Sequence, residues 1–574
     1  MTMHGTKVIT ETLKRAGINT IFGLPGHTVH HLADEIYRDG SFRLVSPRTE
    51  TGGTFMSYGF NRASHRLASA CVWHIAGAPY SMPAVHAAFD DSVPLLVMYG
   101  QAESWFKGRD PIQASDHMLD SFYPIAKFTH KIEKAGLIHQ ALRQAILAAS
   151  SGRQRPSVIE IPTDIQQDST EAKVSDIVWP SPPSADPKSI ELACKYLSQA
   201  SMPVLISGGG AAASQASGPM LELAELLCAP VVYGARAGKG VIPDLHPLCF
   251  GPTGNVAWPI GNAVLEESDC WLAVGTSFSQ YGTALWTLKK PANVLQIDID
   301  AHEIGKIFSP AVGIVADAKL ALDQMVSVFK AQGRDRNYDG NQRFPELRQR
   351  KEKWLGELNS MMSSSAKPIN SWRIVKEMRS HLPPNGTVVT DVGQHQHWIA
   401  RGFYSSTPDD VLIDSRFIIL GFGVSAALGV KLARPERPVI AFVGDGGLYY
   451  SIPEFATAVS EKIPIVIVVE NNGYYNSNKA VQDFVFGKRH AFSELPTSTD
   501  FVQVAKGFGM GGEVVEDPAN IGPAIKRGLE KGPYLIDVKV DPMQPTKLSR
   551  QPMFRNEWDI SSKPIVVEGN QFWE

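Results

Sequence analysis

The chain has 574 residues, of which 43% are hydrophobic and 20% charged, with a formal net charge of −3 at pH 7. That length exceeds one hydrophobic core and calls for two to four domains. The near-balanced charge gives no basis for a nucleic-acid or membrane-surface partner, and no apolar run approaches a bilayer span.

The N-terminal stretch MTMHGTKVITETLKRAG lacks the apolar centre of a secretion signal and reads as an amphipathic first helix. The cysteines Cys71, Cys194, Cys228, Cys249 and Cys270 are scattered without a CxxC pair. This usage fits reduced thiols, so a cytoplasmic protein is expected. Short β-rich runs then alternate with helical stretches in three blocks. The first, residues 1–178, holds NTIFGLPG, HRLASACVWH, VPLLVMYG and PSVIEIP, and closes at the Pro/Ser-rich linker Trp179 to Lys188. The second, residues 189–335, holds PVLISGGG, APVVYG, CWLAVG and NVLQIDID, and fades into a polar, charged stretch from Gly333 to Lys353. The third, residues 366–541, holds GTVVTDVG, RPVIAFVGDG, IPIVIVVENN and PYLIDVKV. Apolar strands alternating with helices predict an α/β protein of three doubly wound parallel-sheet domains. The tail, residues 542–574, carries Met553, Phe554, Trp558, Phe572 and Trp573 without a strand–helix repeat, and is expected either to fold over an active-site entrance as a lid or to pack as a surface arm that stabilises the dimer.

The most chemically loaded stretch is Gly444-Asp445-Gly446-Gly447, directly after an apolar strand. Ser451-x-x-Glu454 reads as a capping box that starts a helix at Ile452. The next strand ends in Glu470-Asn471-Asn472-Gly473. Parallel strands put both turns at one carboxyl edge, where ligands of open α/β sheets sit. A carboxylate, an amide oxygen and nearby carbonyls there suit Mg²⁺. Taken singly, Asp445 would be an ordinary helix cap and Asn472 an ordinary turn residue.

Together with Leu420-Gly421-Phe422-Gly423 and Thr390-Asp391-Val392-Gly393-Gln394-His395-Gln396, the pair resembles the thiamine diphosphate enzymes of the acetolactate synthase, benzaldehyde lyase and pyruvate oxidase group. The resemblance covers nearly the whole chain. It implies that Asp445, Asn472 and the backbone carbonyl of Tyr474 hold Mg²⁺. It also implies that Gln394, His395, Leu420, Gly421, Gly444, Gly446, Gly447 and Tyr475 line the cofactor, with Leu420 propping its bent shape. The first block would bind the pyrimidine and the third the diphosphate. Arg48-Thr49-Glu50-Thr51-Gly52-Gly53 aligns with the family's His-Glu stretch, with Thr49 in place of the His. Glu50 would favour the pyrimidine tautomer that removes the C2 proton. Glu50 and Asp445 would serve one cofactor from different subunits, implying a homodimer or homotetramer with the site at the interface. Gly208-Gly209-Gly210, Gly275-Thr276-Ser277 and Asp298-Ile299-Asp300 in the second block are compatible with FAD, with ADP or with an empty domain; the glycine turn is a weak signal.

Residues around C2 select the reaction. His27 and His30, at the i, i+3 spacing of a helix face, and His74 could handle protons near neutral pH, although each alone is more often structural. Gly26-His27-Thr28-x-His30, Trp73-His74 and Gly444-Asp445-Gly446-x-Leu448-Tyr449-Tyr450 resemble enzymes of the cyclohexane-1,2-dione hydrolase type. The expected function is therefore cleavage of a C–C bond beside a carbonyl in a 1,2-diketone or α-hydroxyketone, with Glu50, His27, His30, His74 and Gln113 catalytic. The alternative is an acetolactate-synthase-like carboligase or decarboxylase acting on pyruvate or another 2-oxoacid, favoured by Gln101, Gln113 and Gln394-His395-Gln396. A non-catalytic regulatory subunit is disfavoured by the intact Glu50, Asp445 and Asn472.

Overall fold

A computed structural model describes residues 2–234, 237–336, 343–484, 486–543, 566–567 and 570–571. The expected α/β architecture is present as three six-stranded parallel sheets. In the first, the spatial order is Arg43–Val45, Thr20–Gly23, Ser69–Trp73, Leu96–Gln101, Ser157–Pro162, Phe128–Lys131. In the second it is Cys249–Thr253, Val231–Gly234, Pro203–Ser207, Cys270–Val274, Asn293–Asp298, Val312–Val315. In the third it is Val411–Ile413, Thr387–Thr390, Val439–Gly444, Val466–Asn471, Tyr534–Lys539, Gly511–Val515. The central strands are buried along their length because helices cover both faces.

The domains share cores. Phe55 and Tyr58 of the first domain meet the Phe422 ring of the third edge-to-face, at centroid separations of 5.5 and 5.1 Å. The helices that carry them, Glu50–Ser64 and Phe422–Ala433, pack backbone to backbone. A Cβ at Gly59 would overlap the Ala426 carbonyl oxygen, and one at Gly429 the Met56 carbonyl oxygen. A second core joins the central domain to the third.

Two local readings change. The polar stretch after Gly333 does not stay irregular: its latter part opens the helix Phe344–Met362, which buries Phe344, Leu347, Trp354 and Leu358. Spaced apolar residues turn one face of this charged helix inward. The helix expected from Ile452 is instead two pieces, Asp445–Leu448 and Glu454–Ser460, with a turn between them. The Glu454 side chain leaves its own helix for the first domain, so no capping box forms. All five cysteines are buried and none forms a disulfide. No helix among the described residues is long and apolar enough to cross a membrane. The lid expectation for residues 542–574 lies outside the described residues beyond Met543, apart from the paired two-residue strands Val566–Val567 and Asn570–Gln571.

Candidate active site

In the third sheet, the adjacent strands ending at Thr390, Gly444 and Asn471 are in parallel register, with Thr390 opposite Phe442 and Gly444 opposite Glu470. Register alone therefore brings the Gln394, Asp445 and Asn472 turns to one edge. Asp445 is 3% exposed. Its Oδ1 accepts the Gly446 N–H at 2.9 Å and its Oδ2 the Gly473 N–H at 2.6 Å. Asn472 Oδ1 accepts the Tyr474 N–H at 3.0 Å. Gln394 Oε1 accepts from Asn476 Nδ2 at 3.1 Å, tying the first turn to the third.

Close packing explains the small residues. A Cβ on Gly446 would stand 2.5 Å from the Tyr475 ring, and one on Gly447 2.9 Å from Asp391 Oδ2. Gly421 has φ +88° and lies against Tyr450. Its N–H donates to the Asp391 carboxylate at 3.1 Å, so Asp391 fixes the turn that carries Leu420. His395 packs beside Gly444, with its ring 5.4 Å from that of Phe442.

Three buried acids gather at this edge. Burial pushes Asp445 and Asp391 each up to about 6, and Glu470 up to about 7. Glu470 accepts from Trp398 Nε1 at 3.1 Å and lies 3.6 Å from His395 Nδ1. Asp445, the Asn472 amide oxygen and the carbonyls of the glycine turns make a hard-oxygen set whose negative charge a divalent cation would offset. The residues present fit Mg²⁺, which would neutralise negative charge at this edge.

The first sheet repeats this logic. Glu50, half-buried, is the first residue of its helix, and Thr49 is the N-cap, its Oγ1 accepting the Gly52 N–H at 2.9 Å. The Glu50 carboxylate rests against Gly77, where a Cβ would clash with it. The His74 ring rests against Gly26 in the same way, and Thr28 Oγ1 accepts the Ile75 N–H at 3.2 Å. Glu50 and the loops bearing His27 and His74 thus share one edge. His74 Nδ1 is buried without a hydrogen-bond partner among the described residues. His27 and His30 do not lie on one continuous α-helix. His27 starts a 3₁₀ turn, His30 opens the following helix, and both are exposed. Gln113 is exposed with φ +52°. Gln101 is buried and committed internally, accepting from Ala102 N–H and donating to the Ser115 carbonyl.

In the central domain, Gly208, Gly209, Gly210, Gly275, Thr276 and Asp298 do come together, in the wall of a cavity of about 580 Å³. The volume is of the size that holds a ligand, and burial lifts Asp298 to about 6.

Three residues of this architecture escaped the sequence reading. Asp391 and Glu470 stand within the Thr390–Gln396 and Glu470–Gly473 motifs, and their position at strand ends marks them in the sequence. Glu454 was assigned to a cap in its own helix, and no local pattern points it elsewhere.

Family comparison agrees with this geometry. Models of the thiamine pyrophosphate enzyme match in three parts: the N-terminal TPP binding domain over residues 3–120, the central domain over 190–325, and the C-terminal TPP binding domain over 391–538. Among curated relatives, a probable acetolactate synthase large subunit of Methanococcus aeolicus is 30% identical over 94% of this chain and 92% of its own length. One from Methanocaldococcus jannaschii is 31% identical over 94% and 93%. The acetolactate synthase isozyme 3 large subunit of Escherichia coli K12 is 29% identical over 94% and 95%. The chain belongs to the thiamine-pyrophosphate-dependent enzyme superfamily that includes the acetolactate synthases.

Proposed function

We propose that this thiamine-pyrophosphate-dependent enzyme is an acetolactate-synthase-like carboligase that decarboxylates pyruvate or a related 2-oxoacid and joins the remainder to a second carbonyl. The observation that carries this reading is the end-to-end likeness to proteins named acetolactate synthase, at 92–95% coverage of their lengths. It reverses the order in which the sequence alone placed the two reactions. When bound, the cofactor supplies a carbon nucleophile at thiazolium C2.

The chain's residues would divide the remaining work. Asp445 and Asn472, with the Tyr474 carbonyl, would hold Mg²⁺. Gln394, His395 and the backbone at Gly444, Gly446 and Gly447 would seat the diphosphate, Tyr475 would wall it, and Leu420 with Gly421 would support the ring system. Glu50 would hold a proton at the pyrimidine nitrogen. In this reading Glu50 and Asp445 serve one cofactor from two subunits, so the working unit is at least a homodimer. The central cavity of about 580 Å³ would admit ADP or FAD, with an empty central domain as the third reading.

The hydrolytic reading keeps one supporting observation: a buried, unpartnered His74 Nδ1 on the edge shared with Glu50. One incubation separates the two. The protein with thiamine diphosphate and Mg²⁺ is given pyruvate or cyclohexane-1,2-dione, and products are identified by mass spectrometry. Carbon dioxide and 2-acetolactate from pyruvate are expected. Exclusive formation of the ring-opened oxo-acid from the dione would install hydrolysis instead.

A further inference from the structure

Glu454 is a buried carboxylate, 1% exposed, on the third domain just beyond the Asp445 turn. Neither of its oxygens serves its own helix N-terminus. Oε1 accepts the Thr49 N–H at 3.0 Å and the Thr49 hydroxyl at 2.8 Å, and Oε2 accepts the Arg48 N–H at 3.1 Å. The Thr457 hydroxyl completes the set at 2.7 Å from Oε2. The Arg48 guanidinium turns away, donating to the Ser46 and Pro47 carbonyls and to Ser460 Oγ. The charge is therefore stabilised by backbone and hydroxyl donors, each fixed in direction.

Those donors matter for what they precede. Thr49 is the N-cap of the Glu50 helix, so its hydroxyl stands in a relay: it donates to Glu454 and accepts from Gly52 N–H. A side chain at position 52 would collide with the Glu454 carboxylate, so glycine there is what lets the carboxylate seat. The backbone entering Glu50 is pinned at two successive N–H groups and at the cap hydroxyl by one carboxylate from another domain. Thr49, the departure from the family's His-Glu stretch, adds its hydroxyl to the two backbone donors of this clamp. Charge-assisted bonds of this kind are about twice as strong as neutral ones and impose direction.

We propose that Glu454 is a positioning residue for Glu50: by clamping Arg48 and Thr49 it sets the reach of the Glu50 carboxylate and ties it to the domain that carries the Asp445 turn. Glu454 itself touches neither substrate nor cofactor. Its loss withdraws orientation from Glu50 while leaving the Asp445 and Asn472 ligands intact. A displacement of about 1 Å in such a group costs up to ~100-fold in rate. The proposal rests on Glu50 acting at the cofactor's pyrimidine, and the test separates the two claims.

In Glu454→Gln, an amide replaces one acceptor and confronts a backbone N–H with a donor. Two measurements are made. Amide hydrogen exchange on the cofactor-free protein should show faster exchange confined to residues 48–53, with the unfolding temperature little changed. Exchange of the C2 proton of bound thiamine diphosphate, followed by NMR without substrate, should slow about 10- to 100-fold, at unchanged Mg²⁺ and cofactor affinity. Glu50→Gln should slow the same exchange, and the double variant should be no slower than Glu50→Gln alone, because Glu454 acts through Glu50. If Glu454→Gln does not fold, Thr49→Val should reproduce the slow exchange and Thr49→Ser should restore it. Wild-type C2 exchange in Glu454→Gln beside slow exchange in Glu50→Gln overturns the proposal, as do multiplying effects in the double variant. Wild-type exchange in Glu50→Gln overturns the underlying role of Glu50 instead.

Discussion

Replacing Glu470 by Gln should stabilise the cofactor-free protein at alkaline pH. Glu470 is 3% exposed, and burial raises its carboxyl from the ordinary 4.5 to about 7, against hydrogen bonds from Ser371 and Trp398 that favour the ionised form. The folded state thus holds its proton more tightly than the unfolded chain. The stabilisation from that proton is complete below pH 4.5 and is lost as pH rises through 7. The full difference is about 3 kcal/mol, most of which falls between pH 5 and 8. Gln keeps a carbonyl oxygen for Trp398 Nε1 and cannot ionise. The unfolding free energies of wild type and Glu470→Gln, measured by urea denaturation with EDTA present, should therefore diverge towards the variant by about 2 kcal/mol as pH goes from 5 to 8. Parallel curves, differing by the same amount at both ends, would refute the argument that this acid is strained by burial.

Asp445→Ala should abolish Mg²⁺-dependent binding of thiamine diphosphate; calorimetry showing unchanged affinity would remove Asp445 from the metal site. Glu50→Gln should retain the fold and the cofactor while losing most turnover, and near-wild-type rates would exclude the proton role. Subunits carrying Glu50→Gln, mixed with equal subunits carrying Asp445→Ala and allowed to exchange, should regain roughly a quarter of wild-type activity, because half the dimers then hold one complete site of two; no recovery after demonstrated exchange would place both residues of a site in one chain. Gly429→Ala should destabilise by roughly 1–3 kcal/mol, since its methyl group would overlap the Met56 carbonyl. An unaltered unfolding temperature would mean that the two helices can separate freely.

How much of this was legible in the sequence follows a physical line. The four central strands of each sheet were readable as apolar runs, because burial on both faces writes itself into composition. Two short edge strands, Arg43–Val45 and Val312–Val315, were not: at least half the positions of each are exposed, so neither offers a continuous buried run. Asp445 and Asn472 were legible because strand ends, turn glycines and parallel register are local properties that repeat from one unit to the next. Glu50 was found only through likeness to a family, since one acid after a short strand carries no signal of its own.

What no local pattern could decide was direction across the domain boundary. Ser451-x-x-Glu454 spells a helix cap, yet the Glu454 carboxylate finds better donors in Arg48 and Thr49, far away in the chain and adjacent only after two domains have packed. The convergence of Glu50, Gly77, His74 and Gly26 likewise exists only once the strands of the first sheet have taken their spatial order. Sequence determines which groups are available and at which end of a strand each one stands. Which of them meet is set by packing, because a carboxylate in a dry interior must go where its hydrogen bonds are.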